Sequence, residues 1–271
     1  MYREEDLHPF DEATSLTFEN DKYSGKTSKA YGNMIGPFGG VTAANILKAV
    51  MDHPAREGEP ISLTVNFAAA LKDGGFTIEA SPTRTNRTTQ HWYIELKQKD
   101  SVSITGTAVF ARRKETWSET EAQFPEAPQA KTIPSLPTEG LPAWLGQYDM
   151  KIVKGLPNLA EPKIVKDSTT IQWIKDEPNR PLDFLSLTSI CDGFFPRLFV
   201  KRNEIGMIGT VSLTVHFHAD METVEAVGEE YVLAKAWANT FYNRFFDQVG
   251  EIWSTKGELL ATTNQMVYFR K

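Results

Sequence analysis

The sequence predicts an α+β protein built from two tandem copies of one unit, each a curved antiparallel sheet holding one long helix. Three observations predict it: a helix followed by four strand-like segments occurs twice, short stretches of the two passages are alike, and a proline-rich break separates them. The clearest likeness is Leu63-Thr64-Val65-Asn66-Phe67-Ala68-Ala69 against Leu213-Thr214-Val215-His216-Phe217-His218-Ala219, identical at five of seven positions. Asn86-Arg87 matches Asn243-Arg244, and 109–112 resembles 267–270. The lag grows from 150 to 158 along the chain, as loop insertions in a tandem duplication would make it.

In the first copy, Phe38, Val41, Ala44, Ile46, Leu47, Val50 and Met51 recur at helical spacing, opened by Gly39-Gly40 and stopped at His53-Pro54. Segments 61–70, 76–85, 91–98 and 102–112 are β-branched or aromatic, several with period two, and turn residues at 72–75 and 99–100 make hairpins of them. Residues 116–143 hold five of the fifteen prolines and no apolar period, which reads as a linker between units at 1–115 and 144–271. In the second copy, Phe184, Leu187, Cys191, Phe194 and Leu198 form one helical stripe, followed by strands over 209–218, 231–240, 245–254 and 259–269.

Composition narrows the functions. With 29 Lys and Arg against 35 Asp and Glu the net charge is −6, the wrong sign for non-specific binding to nucleic acid. No run of 18 apolar residues is present, so no transmembrane helix is expected. One cysteine allows no disulfide within the chain, and the charged opening lacks the apolar run of a secretory signal, which together make a reducing, cytoplasmic setting the expectation. Ser24-Gly25-Lys26-Thr27 lacks the upstream glycine of a P-loop, and the dinucleotide, nucleophile-elbow and zincin signatures are missing. His216 and His218 share a strand face, but no further Cys or His cluster completes a metal site. No cofactor and no metal are expected. Cys191, on the apolar stripe, reads as a small buried hydrophobe.

Asp192 is the anomaly. It falls within the second helical stripe, among residues that must be buried, where a carboxylate is costly unless paired. The corresponding place in the first helix reads as Val41, so the two copies differ where a site would lie.

Duplicated helix-plus-four-strand units, Gly-Pro-Phe-Gly-Gly opening helix one, and Asp192 in helix two together resemble the acyl-CoA thioesterase II family of double hot-dog proteins. The resemblance spans about 14–113 and 145–271. It implies two tandem hot-dog units and a water activated jointly by a carboxylate, a threonine on the next strand and a glutamine on the last strand. Here these are Asp192, Thr210 and Gln265, with Phe217-His218 matching the aromatic-histidine pair that ends the threonine strand. Two positions depart from the family pattern: Val41 stands for a glutamine and Ser212 for an aspartate.

The implied chemistry is hydrolysis of a fatty acyl-CoA to acid and CoA without a covalent intermediate. At an ordinary carboxylate pKa, Asp192 would be ionised at pH 7 and ready to accept a proton. Free N–H groups at Gly39 and Gly40 are candidate donors to the oxyanion. Phe194, Phe195, Trp237 and Phe241 are candidates for an acyl tunnel, and Arg84, Arg87, Arg112, Arg113, Lys201 and Arg202 for the CoA phosphates. The resemblance also implies a homodimer, which exposed sheet edges would favour. Two competing readings are a hot-dog hydratase, which needs a histidine beside the aspartate, and a non-catalytic acyl-CoA or lipid binder.

Overall fold

A computed structural model describes residues 7–270; the charged opening at 1–6 and Lys271 lie outside the described residues. The N-terminal half runs α1 (Pro9–Ala13), β1 (Thr17–Glu19), β2 (Lys22–Lys26), α2 (Gly39–Met51), β3 (Glu59–Phe67), β4 (Gly75–Thr85), β5 (Thr89–Gln98) and β6 (Ser101–Ala111). The C-terminal half runs β7 (Tyr148–Lys154), β8 (Thr170–Asp176), α3 (Phe184–Ile190), α4 (Arg197–Arg202), β9 (Met207–Phe217), α5 (Met221–Glu225), β10 (Val232–Trp237), β11 (Phe241–Tyr242), β12 (Phe245–Trp253) and β13 (Leu259–Arg270).

All these strands form one sheet in the order β1-β2-β4-β5-β6-β3-β9-β13-β12-β10-β8-β7, with the short β11 on β12. Read inward from either edge the two halves have the same order, β1-β2-β4-β5-β6-β3 and β7-β8-β10-β12-β13-β9. The duplication is therefore one of topology as well as sequence. Each unit carries a hairpin ahead of its helix, β1–β2 and β7–β8, that the pattern reading missed. Thr17–Glu19 is too short to show alternation, and lysines interrupt the apolar pattern of Tyr148–Lys154.

The units join where β3 pairs antiparallel with β9, from Ser62 opposite His216 to Asn66 opposite Ser212. On the inner face α2 packs against α3. Helix α2 is buried along almost its whole length, from Gly40 to Val50, because alanines and branched residues occupy all sides of it.

Two expectations need correction. The stripe from Phe184 to Leu198 is not one helix: α3 stops at Ile190 and α4 starts at Arg197. Pro196 has no N–H to continue the ladder and biases Phe195 away from helical backbone, and a Cβ on Gly193 would crowd Ile174 and the Ile190 carbonyl. The break was legible in Gly193 and Pro196 and was overridden by the apolar period.

The segment expected as a linker is a strap laid along the C-terminal half. Its one 3-10 turn is Ala130–Thr132. Phe124 meets Trp253 edge-on at 5.8 Å between ring centroids, and Trp173 donates its indole N–H to the Pro128 carbonyl at 2.8 Å. Leu136 donates its backbone N–H to Met150 in β7 at 2.7 Å. The strap thus covers part of one sheet edge, and the other edge strand is three residues long. Edges blunted in this way remove the edge-pairing argument for a dimer.

Candidate functional site

The turn after α3 is pinned at several points. Cys191 caps the helix and Asp192 donates its N–H to Ser189 O at 3.1 Å. Gly193 donates to Ile190 O and Phe194 to Asp192 O, both at 2.8 Å, and the Gly193 carbonyl accepts from Gln172 Nε2 at 2.6 Å. The backbone at Asp192 has little freedom as a result.

The Asp192 side chain points at the first turn of α2. The Gly40 backbone N–H is near enough to lower the pKa of the carboxyl, and a Cβ on Gly39 would stand 2.6 Å from Asp192 Oδ2. A Cβ on Gly40 would run into the Ser189 carbonyl oxygen and the Phe38 ring. The two glycines therefore let the start of α2 and the end of α3 meet without side chains between them. The start of α2 thus faces a protein carboxylate, which lies close to Gly39. Phe38 stacks on Trp144 at 4.1 Å and 4° between planes, and Tyr148 Oη bonds Ser189 Oγ at 2.7 Å, so both sides of the contact are held from behind.

Gln265 comes from β13 and is 2% exposed. Its Nε2 donates to Asp192 Oδ1 at 2.8 Å. Burial pushes the Asp192 carboxyl up to about 7, opposed by the bond from Gln265 and by the nearby Gly40 N–H. The ordinary pKa expected from sequence is corrected accordingly. Asp192 nevertheless keeps partial exposure, neither sealed nor open. It also sits at the positive end of the α2 dipole, which favours its ionised form.

Thr210 reaches the inner face through a bulge. Leu213, Val215 and Phe217 point inward, so period two alone would turn Thr210 outward. The register slips between Met266 and Val267, which leaves Val211 unpaired and sets Thr210 opposite buried Val267. Thr210 thus lies on the face that carries Gln265, with no side-chain hydrogen bond to it or to Asp192 among the described residues.

Other candidates are dispersed. Phe194 is buried against Gly250 as core, and Phe195 is half-buried beside it. Trp237 is corrected: it shares the outer face of β10 with Lys235, whose Nζ lies 4.9 Å from its ring centroid, while Ala236 faces in. Phe241 packs with Leu198, Phe199, Phe246 and Val267 in an apolar cluster under α4, next to Thr210.

The cationic candidates do not converge on Asp192. Arg84 and Arg87 belong to the β4–β5 hairpin, five strands from β13 in the sheet, with Arg84 held by Asn86 at 2.9 Å. Arg112 pairs with Glu57, Arg113 donates to the carbonyls of residues 217–219, Lys201 to the Lys166 carbonyl, and Arg202 pairs with Glu204.

His216 and His218 lie on the outer face of the sheet, where His218 Nε2 meets Thr262 Oγ1 at 2.9 Å. Neither serves Asp192, which takes away the pairing a hydratase requires. No three His, Cys, Asp or Glu converge among the described residues, and Cys191 is fully buried with its thiol pushed up by burial. Among the described residues no helix is long and apolar enough to cross a membrane.

Two domain models of acyl-CoA thioesterases match the chain, the N-terminal domain over residues 29–111 and the C-terminal domain over 118–269. Among solved structures, a conserved protein of unknown function with the hot-dog fold from Alicyclobacillus acidocaldarius is 45% identical, over 98% of this chain and 99% of that one, with a TM-score of 0.94. A candidate thioesterase II from Thermobifida fusca is 18% identical, over 98% and 99%, with a TM-score of 0.86. An acyl-CoA thioesterase II from Mycobacterium marinum is 19% identical, over 96% and 98%, with a TM-score of 0.77. The last two likenesses are of fold. No curated protein matches the chain.

Proposed function

Because the chain belongs to the acyl-CoA thioesterase family, with two tandem hot-dog units, we propose that it hydrolyses acyl-CoA thioesters, with Asp192 as the base that activates water. The observation that carries this reading is the Asp192–Gln265 pair at 2.8 Å, set on the first turn of α2 with the carboxyl pushed up to about 7. A base poised there is about half ionised at neutral pH and strong enough to take a proton as water attacks.

Water oxygen bonds to the thioester carbonyl carbon while one of its protons passes to Asp192. The tetrahedral intermediate then expels CoA thiolate as the C–S bond breaks, and the Asp192 proton returns to sulfur. Gln265 keeps the carboxylate aimed, and Thr210, from the same face, is a further contact for water or substrate. The acyl chain would lie along the apolar residues under α4, beginning at Val267 and Phe246 beside Thr210. The Gly39 N–H, in the first turn of α2, is the donor to the oxyanion in this reading. Homodimerisation and a cytoplasmic setting belong to the same proposal, the first checked by light scattering at micromolar concentration and the second by fractionation of the source cells.

The decisive experiment is thiol release from a panel of acyl-CoAs, short to long and branched to aromatic, by wild type and Asp192→Asn. Release by wild type and its loss in the variant are expected. No release from any substrate, with acyl-CoA still bound, would replace this reading with that of a binding protein.

A further inference from the structure

One buried hydroxyl on the strand that carries Gln265 has no partner among the described residues. Thr263 is 2% exposed, and its Oγ1 makes no hydrogen bond among the described residues. It stands two residues before Gln265 on β13, so strand alternation puts both side chains on the inner face. Its methyl is turned to β12: a Cβ on Gly250, directly opposite in the register, would lie 2.7 Å from Thr263 Cγ2 and 3.1 Å from the Phe194 ring. The hydroxyl consequently takes another staggered position, away from that contact.

An orphaned hydroxyl in a core is costly, and a valine of the same shape would avoid the cost. The fold itself does not ask for it. In the repeat, Leu63 corresponds to Leu213 and Val65 to Val215. Their partners on β6 are Ala108 and Gly106, where β13 has Gln265 and Thr263. The N-terminal unit therefore builds the same strand pair with two small residues that carry no polar side chain. Both polar replacements occur together, in the unit that carries Asp192, and one of them bonds Asp192.

We propose that Thr263 is a further catalytic residue: its hydroxyl binds the attacking water alongside Asp192 and Gln265. The water gives one hydrogen to the Asp192 carboxylate and directs the other to Thr263 Oγ1, which leaves a lone pair for the thioester carbon. Thr263 exchanges no proton, so the bonds made and broken are those of the hydrolysis above. The inference rests on the hydrolase reading and names one more group at its site.

The test compares wild type, Thr263→Val and Thr263→Ser in thiol release from acyl-CoA, with kcat and KM taken separately, and in thermal unfolding. Thr263→Val is expected to lose on the order of tenfold to a hundredfold in kcat, with KM within about twofold, Tm unchanged or raised, and the rise in rate near pH 7 retained because the base is intact. Thr263→Ser should recover most of the rate. A valine variant with raised Tm and wild-type kcat would overturn the proposal, as would losses in both variants that simply follow a lowered Tm. Wild type that releases no thiol would instead remove the hydrolase reading, and this proposal with it.

Discussion

Thr64 and Thr214 hold the same place in the two copies of the repeat and hydrogen-bond to each other at 3.0 Å across the seam between β3 and β9. The pairs on either side, Leu63 with Val215 and Val65 with Leu213, show the repeated segment lying antiparallel to its own copy about a local two-fold axis. That arrangement fuses two sheets into one and lays the start of α2 against the end of α3. The Asp192 carboxylate of one unit is thereby seated on the helix terminus of the other.

Thr64→Val is expected to cost about 1 kcal/mol or less, since the remaining half-buried hydroxyl can reach water. Thr64→Val/Thr214→Val should cost less than the two singles summed, because both remove one bond. Denaturant unfolding of the four proteins checks it; additive losses would mean that the bond contributes nothing to the seam.

Asp192→Asn should lower kcat at least about a thousandfold and raise thermal stability at neutral to alkaline pH. The native carboxyl at about 7 lies above its unfolded value, so the folded state holds the extra proton between the two. Its contribution to stability is full below about pH 4 and is lost as pH rises through 7. The Tm gap between variant and wild type should accordingly widen over that window and level off above it.

The rate should rise about tenfold per pH unit below 7 and flatten above, since the base must be ionised to accept a proton. A kcat/KM profile from pH 5 to 9 checks it. A limb near pH 4 would mean that the catalytic carboxyl is not the buried one.

Gly39→Ala and Gly40→Ala should separate catalysis from stability. The methyl of the first meets the carboxylate, whose side chain can swing away, so activity should fall more than stability. The methyl of the second meets the Ser189 backbone carbonyl, which cannot move without moving α3, so a stability loss of about 1–3 kcal/mol is expected. Tm and thiol release measured on both variants give the comparison.

Arg197 is fully buried and held by neutral acceptors, the side chains of Gln248 and Thr170 and the carbonyls of Phe195, Ser168 and Ala236. Burial lowers its pKa to about 9. Arg197→Met leaves those acceptors unpaired and should cost about 3–5 kcal/mol, read by denaturant unfolding.

The duplicated α+β plan, α2 with its Gly-Gly start, the four long strands of each unit, and Asp192 as a carboxylate out of place are all legible in the residues alone. These depend on local periodicity and on a direct match between repeats, which a single chain displays. The equivalence drawn between Asp192 and Val41 failed: Val41 opens α2 while Asp192 follows the end of α3, and the helices meet end against start. That relation follows from how the two units pack about the Thr64–Thr214 axis. The same holds for the bulge that turns Thr210 inward, for Trp237 facing out, and for Thr263, whose hydroxyl has no partner among the described residues. Register, facing and hydrogen-bond satisfaction are properties of pairs brought together from far along the chain, and no window of sequence contains both members.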